Sequence, residues 1–310
     1  MQKHYLLLLL LIPFRLAHAT PDYLTVTWEN DIFAGKDSGY TNGVAVSWAY
    51  AGFTNFSHEN TPEWIHALTE NLPIATAKNK QRAISYSITQ AMQTPSDLSQ
   101  RELQKEEAPY AGLILWRSNL FAYDEQSVDR LGLGLGFVGP VSGAKASQRI
   151  IHKVTGSETP EGWDNQLRNE LVFQLSAMRM WRLAAIENKA VGFDMIGLAA
   201  GAVGTLKSDI TAGFSLRLGH DLSGNYATAS ISPGREINPL AGDNHSAWRI
   251  FFNVTASAIA NDILINGNTF VDSPSIALQH LQAQVVTGTS FNIANWAFLF
   301  SAVAGSKQYK

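Results

Sequence analysis

Nowhere after its first few residues does this chain supply the ~18 uninterrupted apolar residues that a helix needs to cross a membrane. Apolar and polar side chains instead alternate one by one over long stretches. From Trp248 the even positions read Trp248, Ile250, Phe252, Val254, Ala256 and Ala258, while Arg249, Asn253, Thr255 and Ser257 lie between them. Leu171, Phe173, Leu175 and Ala177 alternate in the same way with Glu170, Gln174 and Ser176, and Leu24, Val26 and Trp28 with Thr25, Thr27 and Glu29. A period of two puts the two chemistries on opposite faces of a strand. These segments run for about ten residues or more, against the ~5–6 usual in soluble sheets, a length that crosses a bilayer at a tilt. Charged residues make up 16% of the chain, below the ~25% of an ordinary soluble domain, and Ser, Thr, Asn, Gln and 24 Gly take their place. The expected fold is all-β, a transmembrane antiparallel barrel with an apolar lipid face and a polar lumen. A soluble secreted sandwich also alternates, because one face of each sheet is core, but strand length and low charge favour the barrel.

The start of the chain agrees with export. Lys3 and His4 precede the apolar run from Tyr5 to Pro13, Arg15 interrupts it, and Ala17-His18-Ala19 places small residues where a leader is cut. Residues 1–19 read as a cleaved signal peptide and residues 20–310 as one barrel domain. With no Cys there is no disulfide framework, thiolate metal site or cysteine nucleophile. A net charge of -3 offers no footprint for nucleic acid. The 8 Trp, 9 Tyr and 15 Phe supply more apolar surface than a disordered chain carries.

The pattern predicts strands over 22–32, 40–53, 81–92, 109–123, 128–139, 166–182, 190–206, 208–220, 247–261, 278–291 and 294–308. Eleven is an odd count, whereas bacterial single-chain barrels have even ones. Two helices are expected, one over 62–71 capped by Thr61 and one over 147–154 within a long connection.

Gly134 to Gly139 spells a dinucleotide fingerprint, but Pro140 follows it and no helix opens there. Gly132, Gly134 and Gly136 alternating with Leu131, Leu133 and Leu135 describe a strand with a glycine-lined lumen face instead. No G-x-S-x-G nucleophile elbow occurs. Two other clusters bear chemistry. The first hairpin gathers Glu29, Asp31 and Asp37 near Asn30, Thr41 and Asn42. Turn formation alone accounts for many such residues, but Glu29 and Asp31 on one strand face at a rim are hard oxygen ligands of the kind calcium takes. In the long connection Gln148 and His152 are four apart, hence on one helix face, with Glu158 shortly after. A His beside a carboxylate is general-base equipment, although an exposed pair of this kind often does nothing.

Together Glu29-Asn30-Asp31-x-Phe33, Tyr40-Thr41-Asn42-Gly43, Pro109-Tyr110-Ala111-Gly112, Gly139-Pro140, the loop bearing Gln148, His152 and Glu158, Trp163, and Asn266-Gly267-Asn268-Thr269-Phe270 resemble the outer-membrane lipid A 3′-O-deacylase family (LpxR-like). The resemblance implies a twelve-stranded barrel in the bacterial outer membrane that hydrolyses the 3′-O-linked acyloxyacyl ester of lipid A, as a monomer, with calcium as cofactor. It further implies that Asn30, Asp31 and Thr41 lie at the metal and oxyanion region, and that His152, supported by Gln148 and Glu158 on an extracellular helix, activates water. Asp31, Glu29 and Asp37 are the expected metal ligands. Members of the family usually continue beyond the position of Lys310 into a closing strand, so a gap beside β-strand one is also expected. A non-catalytic barrel, porin-like or structural, and an outer-membrane phospholipase are the alternatives.

Overall fold

The computed structural model describes residues 20–30, 39–57, 61–186, 191–222, 226, 247–293 and 295–310. One antiparallel sheet holds eleven strands in sequence order: β1 (Tyr23–Asn30), β2 (Gly39–Phe53), β3 (Gln81–Thr94), β4 (Ala111–Tyr123), β5 (Ser127–Val138), β6 (Glu170–Ile186), β7 (Gly192–Val203), β8 (Lys207–Gly219), β9 (Ala247–Asp262), β10 (Leu281–Ile293) and β11 (Trp296–Gly305). Each pairs with the next, so β1 and β11 are the edges of the curled sheet. Four helices join it: α1 (Glu63–Thr69), α2 (Pro73–Thr76), α3 (Ala144–Thr155) and α4 (Ile263–Asn266). The end of the barrel where β1 finishes and α3 and α4 lie is here the upper rim.

The alternation in the sequence becomes the wall. Val44, Val46, Ile88, Leu135, Phe137, Leu171, Phe173, Ile250 and Phe252 are exposed on the outside. Ser85, Ser87, Thr89, Arg117, Asn119, Arg249, Asn253 and Thr255 are buried inside. The glycine face of β5 does point inward and is filled by its neighbours, since a Cβ on Gly132 would lie 2.5 Å from Asn119 Oδ1 and 2.6 Å from Ser176 Oγ. This is a packing surface, as the rejection of a nucleotide motif there required.

Loop residues pack into the lumen at both ends. At the upper rim Ile263 and Leu264 of α4 pack among Ala91, Leu113, Leu115, Val138 and Val172, and inward-facing Gln93 donates from Nε2 to the Leu264 carbonyl at 2.8 Å. At the lower rim Tyr226 fills the space among Phe121, Val128, Met180 and Ile196. The Arg217 guanidinium grips Asp194 through two hydrogen bonds of 2.9 and 2.6 Å, Arg182 approaches the same carboxylate at 3.2 Å, and both arginines donate to the Leu222 carbonyl at 2.7 and 3.2 Å. One buried carboxylate thus fixes two cations and the chain entering the lumen mouth.

Helices α1 and α2 lie outside the wall at the lower rim, where Phe56, Ile65 and Ile74 cover Ile84, Tyr86 and Leu120. The expected capping by Thr61 is corrected here. Its hydroxyl donates back to the Ser57 carbonyl at 2.8 Å, and Pro62 occupies the N-cap without a side-chain bond. The second predicted helix is longer than the pattern indicated, and α2 and α4 are four-residue turns too short to show a period. After β11 the tail runs along the upper rim, with Gln279 N–H donating to the Gln308 carbonyl at 2.9 Å and the Tyr309 hydroxyl to Glu107 at 3.1 Å.

Removing one partner of a buried ion pair leaves an uncompensated charge, which costs about 3–5 kcal/mol. Asp194→Asn is therefore expected to lower the temperature at which the folded barrel loses its compact gel mobility, and Asp129→Asn, at a more exposed pair, to lower it much less. Equal transitions for wild type and Asp194→Asn would contradict the assignment of Asp194 as the lower latch.

Candidate active site between α3 and the outer wall

The wall facing α3 is set by strand register. Asn42, Val44 and Val46 of β2 pair with Met92, Gln90 and Ile88 of β3, which pair with Gly112, Ile114 and Trp116 of β4. Val46, Ile88 and Ile114 are exposed, so this row faces outward, and Asn42, Met92 and Gly112 are its members at the upper rim. There α3 docks. Met92, Leu98, Tyr110, Ala144 and Trp163 form one buried cluster, and Gln90 donates from Nε2 to the Ser142 carbonyl at 2.6 Å. Gly112 is required by the close approach, because a Cβ on it would fall 2.1 Å from Ser142 Oγ and 2.5 Å from the Ala144 Cβ. Gly139, at φ 97, turns the chain out of β5 where a side chain would strike the Arg168 carbonyl at 2.6 Å. The helix therefore lies on the lipid side of the barrel.

Its underside carries the two polar residues that the spacing singled out. Gln148 is 2% exposed and His152 9%. Trp163 donates its indole N–H to Gln148 Oε1 at 2.6 Å, which settles the orientation of the amide, because an indole can only donate. Gln148 Nε2 is then a buried donor with no hydrogen-bond partner among the described residues. His152 Nδ1 lies 2.5 Å from the main-chain carbonyl of Glu158. Since a carbonyl only accepts, Nδ1 carries the proton, and in the neutral imidazole the lone pair is then on Nε2. The Glu158 side chain is exposed, so its backbone rather than its carboxylate orients the imidazole, a division that spacing could not reveal. Tyr110 is no competing base, because burial pushes its phenol up to about 12. Lys145 donates to Asp164 at 2.7 Å, and this hydrogen bond holds the Asp164 carboxyl below its ordinary value.

The first hairpin divides between the faces of the sheet. Asn30 pairs with Asn42 at the top of β1, and Thr41 sits at a bulge where the β2–β3 register shifts between Tyr40 and Asn42. Glu29 shares its face with Thr25 and Thr27, opposite the exposed Leu24, Val26 and Trp28. That is the lumen side, away from α3. Asp31 and Asp37 lie outside the described residues, and no cluster of three metal-ligating side chains occurs among the described ones. Asn42 was passed over as a site residue. It is 4% exposed, in the outward row beside Met92, and its Oδ1 has no hydrogen-bond partner among the described residues. Its signal was the Tyr40-Thr41-Asn42-Gly43 run, where a turn explained an Asn equally well.

If contact with Gly112 seats α3, Gly112→Val should lift the helix without opening the barrel. Trypsin should then cut after Arg149 and Lys153 at least tenfold faster while compact gel mobility is kept; unchanged cleavage would show that the contact is dispensable.

The known proteins give a consistent picture. No curated protein matches. The solved structure of LpxR from Salmonella typhimurium superposes with a TM-score of 0.74 at 16% identity, covering 93% of this chain and 94% of that one, a likeness of fold. The family model described as outer membrane protein LpxR matches residues 5–310, and over that span the chain belongs to the LpxR family of outer-membrane β-barrels.

Proposed function

We propose that this barrel hydrolyses the 3′-O-linked acyloxyacyl ester of lipid A in the outer leaflet, with His152 as general base. The observation that carries the reading is the imidazole buried between α3 and the outer wall, with Nδ1–H committed to the Glu158 carbonyl and Nε2 left to accept. A base at that place meets a substrate that arrives from the leaflet. In the proposed step a water donates a proton to His152 Nε2 while its oxygen attacks the ester carbonyl carbon. Gln148 Nε2 donates to the water oxygen and aims it. The tetrahedral oxyanion collapses, the bond to the sugar 3′-oxygen breaks, and that oxygen takes the proton back from His152. One ester and one water become one acid and one sugar hydroxyl, with no protein nucleophile.

The residues at the top of β1 and β2 fit a hard cation. The orphaned amide oxygen of Asn42, across the ladder from Asn30, is the type of donor that calcium takes. Asn42 would be one of its ligands; Asp31 and Asp37, outside the described residues, are the carboxylates proposed from the sequence to complete the site, and Glu29, on the lumen face, is set away from Asn42. When bound, such an ion would stabilise negative charge on the carbonyl oxygen.

A porin-like role is disfavoured by the loop residues packed into the lumen at both ends, and planar bilayers should show no stepwise conductance. Release of the 3′ acyloxyacyl acid from purified lipid A, followed by mass spectrometry with and without chelator, tests the enzyme directly. His152→Ala should lower the rate by ~10² to 10⁴ with compact mobility retained. Glu158→Gln should stay within about threefold of wild type, because the orienting acceptor is main chain. A folded His152→Ala variant of normal activity would remove the base from the scheme. Chelator should abolish hydrolysis, and Asn42→Leu should raise the calcium concentration needed for half-maximal rate.

A further inference from the structure

The face of α3 turned away from the wall is unlike that of an ordinary surface helix. Ile150 is 65% and Val154 82% exposed, four residues apart on one ridge. Arg149 and Lys153, also four apart and both exposed, form a parallel ridge beside them. Among the described residues neither makes a hydrogen bond or ion pair. Lys145, which begins the same basic ridge, is instead tied to Asp164. Since Gln148 and His152 occupy the underside, the helix has three surfaces: a polar one against the wall, an apolar one and a basic one. A helix exposed to water on its whole outer side has no use for bare Ile and Val there.

The position of the helix selects the occupant. It lies on the lipid side of the wall at the upper rim, above the apolar row of Val46, Ile88 and Ile114, where acyl chains give way to headgroups. An apolar ridge beside a basic one is the arrangement of helices that lie in the interface plane and bind anionic lipid. We infer that the outer face of α3 docks the phosphorylated glycolipid of the outer leaflet, Arg149 and Lys153 holding a phosphate while Ile150 and Val154 enter the acyl boundary. This rests on the proposed function for the identity of the lipid, and it assigns the helix a second task. It would secure the headgroup on its outer side while the ester is presented beneath it. Phosphate contacts from two charged donors at a partly dry boundary are the strong kind of hydrogen bond.

Because the chain has no Cys, Val154→Cys gives a unique site for a polarity-sensitive dye. The labelled full chain, in the His152→Ala background, is placed in nanodiscs containing bisphosphorylated lipid A or its dephosphorylated form. With phosphates present the dye should report an apolar environment. Removing the phosphates, or introducing R149Q with K153Q, should abolish at least half of the shift. In the unlabelled active chain, R149Q with K153Q should reduce the kcat/KM preference for bisphosphorylated over dephosphorylated lipid A roughly tenfold. A dye that reports water in every disc, or a shift indifferent to both phosphate and the two basic residues, overturns the inference. A phosphate-dependent dye shift in a chain that hydrolyses neither lipid upholds the docking surface and refutes only the catalytic reading.

Discussion

Inside hydrocarbon no water is available to a peptide group, so each strand depends on its neighbours for hydrogen bonds. That requirement fixes the ladder, the ladder fixes the register, and the register decides which side chains meet lipid and which meet the lumen. Everything of interest here follows from that parity. Moving Asn42, Met92 and Gly112 by one residue would turn them into the lumen, and α3 would have no place to dock. The glycine at 112 is the local concession, removing the one Cβ that the helix cannot tolerate.

The two faces of this wall are used in opposite ways. Inside, polar and charged groups are buried around residues such as Asp194, and loop residues pack into the lumen at both ends. Outside, where a barrel usually offers only apolar side chains, helices are laid at both rims, α1 and α2 below and α3 above. The side chains proposed for the chemistry lie on the exterior of the wall, between it and α3.

Much of this was legible in the sequence for a physical reason. Alternation is enforced at every residue of a strand that separates two media, so the ends of the predicted strands fall close to the observed ones, as 247–261 does against Ala247–Asp262. The Gln148–His152 spacing was readable because a helix repeats its face every three to four residues. Less was readable where two structural causes give one residue pattern. Glu29 reads as a rim ligand, but the pattern alone could not say that its face is the lumen's. Glu158 stands near His152 in sequence, yet a main-chain carbonyl leaves no trace in residue type. Thr61 looked like a cap because Thr caps helices often, and Pro62 took the position instead.

The docking of α3 on the outer face of the curled wall has a consequence for kinetics. Under the proposed function, a lipid would reach His152 sideways, within the plane of one leaflet, and not from bulk solution on either side. Encounter is then two-dimensional. The quantity that would set the rate is the number of lipid molecules per unit area and their lateral diffusion, so crowding of the leaflet, its fluidity and the cations that bridge neighbouring headgroups would govern turnover as directly as any residue of the site.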